Sequence, residues 1–331
     1  MKIAILAVTR GGKDLGERLS CRLPGAEMFS TESGVLSTIE TAWNNYDAIV
    51  CIMATGIVVR AMAPLCRDKR SDPCVLVLDE KGKFVISLLS GHLGGGNELA
   101  LTVAEITGGQ PVITTASDVT GHTALDLWAR RNRLVVNDWK KLTGWSTRLV
   151  NGERLKVYCE YGDGQLPEDM RRCTSGDDAD LAISHTGKEG DSRSLLLRPV
   201  NLHVGIGCNR NTPVEDMVRS LDELFAEHGL DQQCISRLAT IDLKKDEHGL
   251  LELGRSMELE LKFYNKDELN GVPGVSTSAA VLAATGAKGV AEPAALLSAA
   301  DENSEARLII RKRKWKDVTV AVAESRIDLV E

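Results

Sequence analysis

The first third of the chain alternates short apolar runs with segments of helical periodicity. The apolar runs predict buried strands and lie at 2–8, 47–54, 74–79, 84–90 and 111–115. The amphipathic segments predict helices at 11–22, 31–46 and 97–107, and residues 56–60 predict the start of another. Residues 80–83 predict a hairpin turn between two of these strands. Alternating strands and helices are typical of a parallel sheet with crossover helices. We therefore predict an N-terminal, doubly wound, mostly parallel α/β domain over residues 1–133.

The remainder of the chain predicts two further domains. Residues 134–199 are more polar and rich in turn residues, which indicates a small middle module. Residues 200–331 alternate strands and helices again and predict a C-terminal α/β domain that ends in a β-hairpin of 307–313 and 317–323. In this domain Thr212 and Asp242 are predicted to be the N-caps of two helices.

Composition and charge exclude several classes of protein. The 40 Lys and Arg against 47 Asp and Glu leave a net charge of −7, which disfavours binding to nucleic acid or to an anionic membrane surface. The longest apolar run, 48–59, is too short to span a bilayer, and the first residues predict a strand rather than a signal peptide. Eight cysteines without a C-x-x-C pair predict reduced thiols of a cytoplasmic protein. No cluster of His, Cys, Asp and Glu in the sequence has zinc-ligand spacing, so we predict no protein-bound catalytic metal.

Three polar loops follow predicted strands, at 54–56, 90–98 and 114–118. Open parallel sheets bind ligands beyond the carboxyl ends of their strands, so we expect these loops to converge on a ligand. The 91–96 loop matches neither G-x-G-x-x-G nor the Walker motif. A nucleotide site, a loop closed by glycines for packing, and a site for another anionic organic ligand remain open.

Two sets of ionisable residues carry candidate chemistry. His92 lies in the glycine-rich loop, and its ordinary pKa near 6.5 suits a general acid or base. The alternative is a structural histidine that bonds a backbone carbonyl. Asp242 and Glu247 lie near a predicted helix start, where helix capping is the alternative to a catalytic or binding role. The basic run 311–316 is predicted to be the solvated tip of the last hairpin.

Several dispersed motifs, in the same order, resemble the cobalamin biosynthesis protein G family (CbiG), the cobalt-precorrin-5A hydrolases of the anaerobic vitamin B12 pathway. The resemblance lies in 56–60, 63–64, 72–73, the segment FVISLLSGHLGGGNELA at 84–100, 112–118 with Gly121, 202–208, 239–247 and GVAEPAALL at 289–297. The chain departs from the usual family pattern at Gly96, where alanine is usual, and at 209–211, where basic residues and glycine are usual.

The resemblance implies a reaction and a division of labour. The reaction is hydrolytic opening of the ring A δ-lactone of cobalt-precorrin-5A, with loss of a two-carbon fragment as acetaldehyde, to give cobalt-precorrin-5B. Cobalt would arrive inside the substrate, so no cofactor is expected. The third domain resembles a stand-alone protein of the aerobic pathway, which implies that residues 200–331 hold the corrinoid while the first domain supplies the lactone chemistry. A non-catalytic corrinoid carrier and a nucleotide-dependent enzyme are the alternatives.

The resemblance also suggests roles for particular residues. We expect His92 to act as base or acid, Glu98 to orient it, and Ser90 to donate a hydrogen bond to the oxyanion. The predicted substrate-binding residues are Thr55, Gly56, Arg60, Gly94, Gly95, Gly96, Asn97, Thr115, Asp118, Asp242, Lys244, Glu247 and Ser276. The expected partner is a cobalt-corrinoid substrate, and transient contact with neighbouring pathway enzymes and homo-oligomer formation are further expectations.

Overall fold

The computed structural model describes residues 1–31, 34–68, 70–186 and 193–331 of the chain. These residues form two compact units, 1–127 and 128–331. Across the described ranges, every helix is too short or too polar to cross a bilayer.

The first unit contains a six-stranded sheet with helices between its strands. The strands are β1 (Ile3–Ala7), β2 (Ala26–Phe29), β3 (Ala48–Ile52), β4 (Cys74–Leu78), β5 (Phe84–Leu89) and β6 (Gln110–Val112). The helices are α1 (Arg10–Ser20), α2 (Val35–Asn45), α3 (Thr55–Met62), α4 (Gly96–Thr107), α5 (Ala116–Thr120) and α6 (Leu125–Arg131), the last continuing into the second unit. The strand order is β2-β1-β3-β4-β5-β6, and all neighbours are parallel except β4 and β5. The predicted doubly wound, mostly parallel sheet is confirmed.

The central strands form because their sequences are continuously apolar. Every residue of β1, β3 and β4 is buried, as expected for strands covered on both faces. On one face of the sheet, α1 packs through Leu15 and Leu19, and α4 packs through Leu99 and Val103. Strand β2 was not predicted from the sequence, because its four residues include a glutamate and are exposed or only partly buried.

The turn between β4 and β5 determines which loops share an edge of this sheet. The predicted hairpin is confirmed, with Val75 opposite Leu89 and Leu78 opposite Val85. An antiparallel partner runs in the reverse direction, and β6 is parallel to β5. The loops after β5 and β6 therefore lie at the edge where β1, β3 and β4 begin. The expectation that the three polar loops converge at one edge is wrong, because the 54–56 loop lies at the other.

The described residues of the second unit form three sheets. Its strands are β7 (Leu134–Val136), β8 (Leu155–Cys159), β9 (Gly162–Gly164), β10 (Met170–Arg172), β11 (Leu181–Ile183), β12 (Leu195–Pro199), β13 (Leu202–Cys208), β14 (Ile235–Ile241), β15 (Glu260–Tyr264), β16 (Ala306–Lys314), β17 (Val318–Ser325) and β18 (Ile327–Leu329). Its helices are α7 (Trp139–Val150), α8 (Val214–His228), α9 (His248–Ser256), α10 (Lys266–Gly271), α11 (Ala279–Thr285) and α12 (Ala291–Ala300). The sheet orders are β10-β8-β11-β12-β7, β15-β14-β13-β17-β16 and β18-β9.

Strand β18 differs from the predicted ending of the chain. The hairpin of β16 and β17 is present, but a further strand follows it and pairs in parallel with β9 of the middle region. Only three residues long, β18 carries too short a pattern to be recognised from the sequence. Its partner β9 was not predicted either, because its three residues are Gly-Asp-Gly and include no apolar side chain.

Two predicted helix caps are wrong. Thr212 donates its hydroxyl to the carbonyl oxygen of Asn209 at 2.9 Å, and Pro213 takes the N-cap position of α8. Asp242 begins a short 3₁₀ turn rather than a helix. The helix α9 begins six residues later, with Glu247 at its N-cap.

Candidate active site

The loop between β5 and α4 is closed by its own backbone. The Gly95 N–H donates to the carbonyl oxygen of His92 at 2.8 Å, and the Asn97 N–H donates to that of Gly91 at 2.9 Å. Gly95 has a φ of 78°, a left-handed conformation that favours glycine. A Cβ at Gly91 would lie 2.5 Å from Asn97 Oδ1, so a larger residue there would displace the Asn97 side chain. Close packing therefore accounts for part of this glycine-rich sequence.

His92 projects from this loop into a cluster of acidic and hydroxyl side chains. Its Nε2 lies 2.7 Å from Asp118 Oδ2 and 3.0 Å from Ser117 Oγ. Its Nδ1 lies 3.6 Å from Asp126 Oδ1. The imidazole is 18% exposed. Both ring nitrogens thus face carboxylates, and among the described residues the ring bonds to side chains rather than to a backbone carbonyl.

These carboxylates favour the protonated form of His92. Asp126 is the largest influence and raises the pKa of His92 above its ordinary value near 6.5. Partial burial lowers this pKa, and Asp118 raises it further, so the net shift is upward. The upward shift increases the protonated fraction of the ring at a given pH, which favours a role as proton donor.

The predicted binding residue Asn97 links two others, Asp118 and Thr115. The buried Asn97 donates through Nδ2 to Asp118 Oδ2 at 3.0 Å and to Thr115 Oγ1 at 3.1 Å. The structure therefore brings together His92, Asn97, Thr115 and Asp118, all predicted from the sequence. The β5 and β6 loops supply this group from one edge of the sheet.

Ser117 and Asp126 belong to the same cluster and were missed as site residues. Ser117 lies in the polar 114–118 loop beside Asp118, and this position could have identified it from the sequence. Asp126 lies in the first turn of α6, outside any motif. Its meeting with His92 arises from the packing of α6 in the first unit and has no counterpart in the sequence pattern.

Other predicted residues of this loop have different partners. Ser90 donates its hydroxyl to the carbonyl oxygen of Asp72 at 3.1 Å. The N–H groups of Gly95 and Gly96 donate to carbonyl oxygens inside the loop, and a Cβ at Gly94 would meet the Ser90 carbonyl oxygen at 2.6 Å. Glu98 is exposed in the first turn of α4. The structure places Asp118 and Asp126, rather than Glu98, beside the imidazole.

Thr55, Gly56 and Arg60 lie at the opposite edge of the sheet from His92. Thr55 is the first residue of α3, and Arg60 lies in its last turn. The Arg60 side chain nevertheless points back toward the helix start, as side chains on a helix commonly do. Its Nη2 would lie 3.6 Å from a Cβ at Gly56. This exposed guanidinium is available to an anionic group at the 54–56 loop.

The C-terminal region of the second unit contains a cavity of about 310 Å³ at the carboxyl ends of β13 and β14. Lys244 and Ser276, both predicted binding residues, line it. Glu247 is buried and accepts hydrogen bonds from Lys244 Nζ at 3.3 Å and from the Asn211 N–H at 2.7 Å. It therefore positions Lys244, whereas Asp242 lies in the turn beside the cavity and is not among its lining residues.

Glu292 is a further residue of this cavity that sequence reasoning missed. It is 1% exposed and accepts hydrogen bonds from the Ser276 N–H at 2.5 Å, the Ser276 hydroxyl at 3.0 Å and the Lys312 N–H at 3.0 Å. Burial raises the pKa of Glu292, but these hydrogen bonds and the charge of Lys312 together outweigh burial and leave the pKa below its ordinary value. A glutamate at the start of an alanine-rich helix was the available signal.

Three family models match successive parts of the chain. The model described as cobalamin synthesis G N-terminal matches residues 37–118, the cobalamin biosynthesis central region matches 123–199, and the cobalamin synthesis G C-terminus matches 202–323.

Curated relatives match over most of the chain. A protein of Priestia megaterium named cobalt-precorrin-5A hydrolase is 34% identical over 316 residues, which cover 90% of this chain and 83% of the relative. A protein of the same name from Salmonella typhimurium is 33% identical, with 81% of this chain and 83% of the relative covered. A Sinorhizobium protein named CobE is 31% identical over 124 residues, covering 37% of this chain and 79% of the relative.

Proposed function

The chain belongs to the cobalamin synthesis G family, and from this membership we propose that it is a cobalt-precorrin-5A hydrolase. The observation that carries the proposal is the 34% identity, over 90% of the chain, to a relative of that name. The reaction we propose opens the ring A δ-lactone of cobalt-precorrin-5A and gives cobalt-precorrin-5B and acetaldehyde. Cobalt belongs to the substrate in this proposal, and the protein supplies no cofactor.

Water provides the atoms that balance this reaction. Its oxygen adds to the lactone carbonyl carbon, the ester C–O bond breaks, and the two-carbon fragment retains a hydroxyl group. That hydroxyl then loses its proton while the carbon–carbon bond to the fragment breaks, and the fragment leaves as acetaldehyde. The electron pair stays on the macrocycle, which takes up a proton. The reaction therefore needs a proton donor near the leaving groups and side chains that hold the carboxylates of the substrate.

The His92 cluster supports an acid–base role in this chemistry. The imidazolium form is stabilised by Asp126 and Asp118, and the ring remains partly exposed. We assign it the donation of a proton to the departing oxygen or to the macrocycle. Asn97 is a positioning residue, because it donates a hydrogen bond to Asp118 beside the ring, and Thr115 supports it by accepting a second hydrogen bond from Asn97. Ser117 adds a hydroxyl at the same nitrogen.

Binding of the corrinoid is assigned to the C-terminal domain, residues 200–331. The cavity at the ends of β13 and β14 and its lysine side chains support this assignment. Lys244 and Ser276 contribute to that cavity, and Arg60 offers a separate cation in the first unit. The domain layout of the proposal is 1–133, 134–199 and 200–331.

The proposal includes a cytoplasmic location, a homo-oligomeric state and transient contacts with neighbouring pathway enzymes. The eight free cysteines support a reducing compartment. Native mass spectrometry of the purified protein tests the oligomeric state directly.

The experiment is an acetaldehyde assay with cobalt-precorrin-5A and no added nucleotide. We expect acetaldehyde release by the wild type and a loss of roughly 10²–10⁴-fold in rate for His92→Ala, the usual contribution of a general acid or base. The matched control is His248→Ala, since His248 is 86% exposed on α9 and pairs only loosely with Glu252.

Three outcomes contradict the proposal. Binding of the substrate without any acetaldehyde identifies a carrier, and release that requires a nucleotide identifies a nucleotide-dependent enzyme. A His92→Ala variant as fast as His248→Ala would place the acid elsewhere in the molecule.

A further inference from the structure

One wall of the C-terminal cavity is basic and lies on β16. Successive side chains of a strand point to opposite faces. Lys312 and Lys314 line the cavity, whereas Arg313 stacks on the Trp315 ring at 4.8 Å and pairs with Glu227. Within the described ranges of the chain, neither lysine ammonium lies within ion-pair distance of a carboxylate. Among the described residues, two lysine ammonium groups therefore face the cavity without a direct ion pair, and Lys312 also feels the charge of Glu292.

The acidic side chains that line the cavity are already engaged. The Glu292 carboxylate accepts three hydrogen bonds from Ser276 and Lys312. Asp317 accepts a hydrogen bond from Asn209 Nδ2 at 2.7 Å. The lysines thus remain the groups that can bind an incoming anion. An anionic ligand would supply the missing partners.

The facing wall is apolar and lies on α11. Ala280, Val281 and Ala284 line the cavity and share one face of this helix, while Leu282 and Ala283 lie on the other. The helix has no buried residue, although six of its seven residues are apolar. Apolar helices are ordinarily stabilised by burying one face, so the cavity side of α11 is suited to cover an apolar surface.

We propose that this cavity clamps one edge of a flat, carboxylate-bearing macrocycle. Lys312 and Lys314 bind its peripheral carboxylates, and Ala280 and Ala284 lie against its apolar face. The corrinoid identity of the ligand rests on the proposed function. A complete corrinoid with its side chains exceeds the ligands that cavities near 300 Å³ enclose, and this cavity measures about 310 Å³. Only one edge of the ring therefore enters, and the rest stays outside the cavity.

The experiment measures binding rather than turnover, with cobyrinic acid as the probe, because its peripheral side chains are carboxylates. Cobinamide, in which the corresponding side chains are amides, is the comparison ligand. We expect wild type to bind cobyrinic acid more tightly than cobinamide, with an affinity that falls as salt rises. The double variant Lys312→Gln/Lys314→Gln is expected to bind cobyrinic acid at least about tenfold more weakly. Its matched control is Arg311→Gln, since Arg311 is exposed on the same strand and does not line the cavity.

The apolar wall is tested by a second pair of substitutions. Ala284→Glu places a charge in the cavity, whereas Ala283→Glu places the same charge on the other face of α11. Both alanines are exposed, so both variants are expected to fold and to melt like wild type. We expect Ala284→Glu to bind cobyrinic acid at least about tenfold more weakly than Ala283→Glu.

The results separate this inference from the hydrolase proposal. Any of three results would overturn the clamp. The first is equal affinity of Ala283→Glu and Ala284→Glu for cobyrinic acid, and the second is an equal loss of affinity in Arg311→Gln and in the lysine double variant. The third is no binding of cobyrinic acid by wild type. The predicted binding pattern without acetaldehyde release would support the clamp and contradict the hydrolase. If wild type releases acetaldehyde and all cavity variants bind cobyrinic acid as tightly as wild type, the hydrolase is supported and the clamp is contradicted.

Discussion

At His92, one imidazole meets two aspartates supplied by different elements of the first unit. Asp118 lies in α5 and Asp126 in α6, and each faces a different ring nitrogen. A histidine held in this way is oriented by both neighbours and retains its proton to higher pH than a free histidine. The raised pKa of His92 also makes the stability of the folded state depend on pH. Its contribution to stability is present at low pH and is lost as pH rises through the folded-state pKa.

Asp126→Asn tests this account of the cluster. Asp126 is the largest cause of the raised pKa of His92, so its neutralisation is expected to lower the midpoint of the imidazole titration. The measurement is the chemical shift of the His92 Cε1 proton against pH in variant and wild type. Glu105→Gln, an exposed change on α4, serves as the control. An unchanged midpoint in Asp126→Asn would show that Asp126 does not act on the ring.

At the scale of elements, the carboxylate of Glu292 joins three segments of the second unit. It lies in the first turn of α12 and accepts hydrogen bonds from the Ser276 loop and from the backbone of β16. These bonds fix the floor of the cavity between its two walls. Since the pKa of Glu292 is lowered, its contribution to stability is present above the ordinary value near 4.5 and is lost as pH falls through the folded-state pKa.

Glu292→Gln is therefore expected to lower the free energy of unfolding by about 1–3 kcal/mol at neutral pH, because a buried acceptor of charge-assisted bonds becomes an amide. The measurement is urea denaturation of both proteins at neutral and acidic pH. The difference between them should shrink as acid protonates the wild-type carboxyl. Glu252→Gln, exposed on α9, is expected to change little. Equal stability of Glu292→Gln and wild type would contradict this role.

At the scale of the whole molecule, the last strand links distant parts of the second unit. Strand β18 pairs with β9, so residues 327–329 lie against residues 162–164. Asn132 adds to this link, since its Nδ2 donates to the carbonyl oxygen of Val330 at 2.9 Å. The two-stranded sheet of β9 and β18 therefore joins the middle module to the C-terminal domain, and both lie within one compact unit.

Leu329→Ala tests the strength of this link. Leu329 is 1% exposed, and truncation of a buried leucine costs about 2–5 kcal/mol. Val330→Ala is the matched control, because the adjacent Val330 is 47% exposed and should cost far less. The measurement is the free energy of unfolding of each variant in urea. Equal losses for the two substitutions would show that β18 contributes little to the second unit.

The sequence by itself determined the class of fold and most of its elements. Continuous apolar runs specify β1, β3 and β4 because strands covered on both faces need no polar positions. The family resemblance and the glycine-rich loop also pointed to His92, Asn97, Thr115 and Asp118, which the structure brings together. Lys244 and Ser276 were likewise recognised, and both line the C-terminal cavity.

Only the tertiary structure decided which of these residues can act together. The antiparallel turn between β4 and β5 separates Thr55 and Arg60 from His92, although every loop follows a strand in the sequence. Asp126 reaches His92 through the packing of α6, and Glu292 reaches Ser276 across the cavity floor. Local pattern records which face of an element is apolar. The hairpin turn at 80–83 was recognisable in the sequence, but long-range side-chain contacts depend on how elements pack, which the local pattern does not encode.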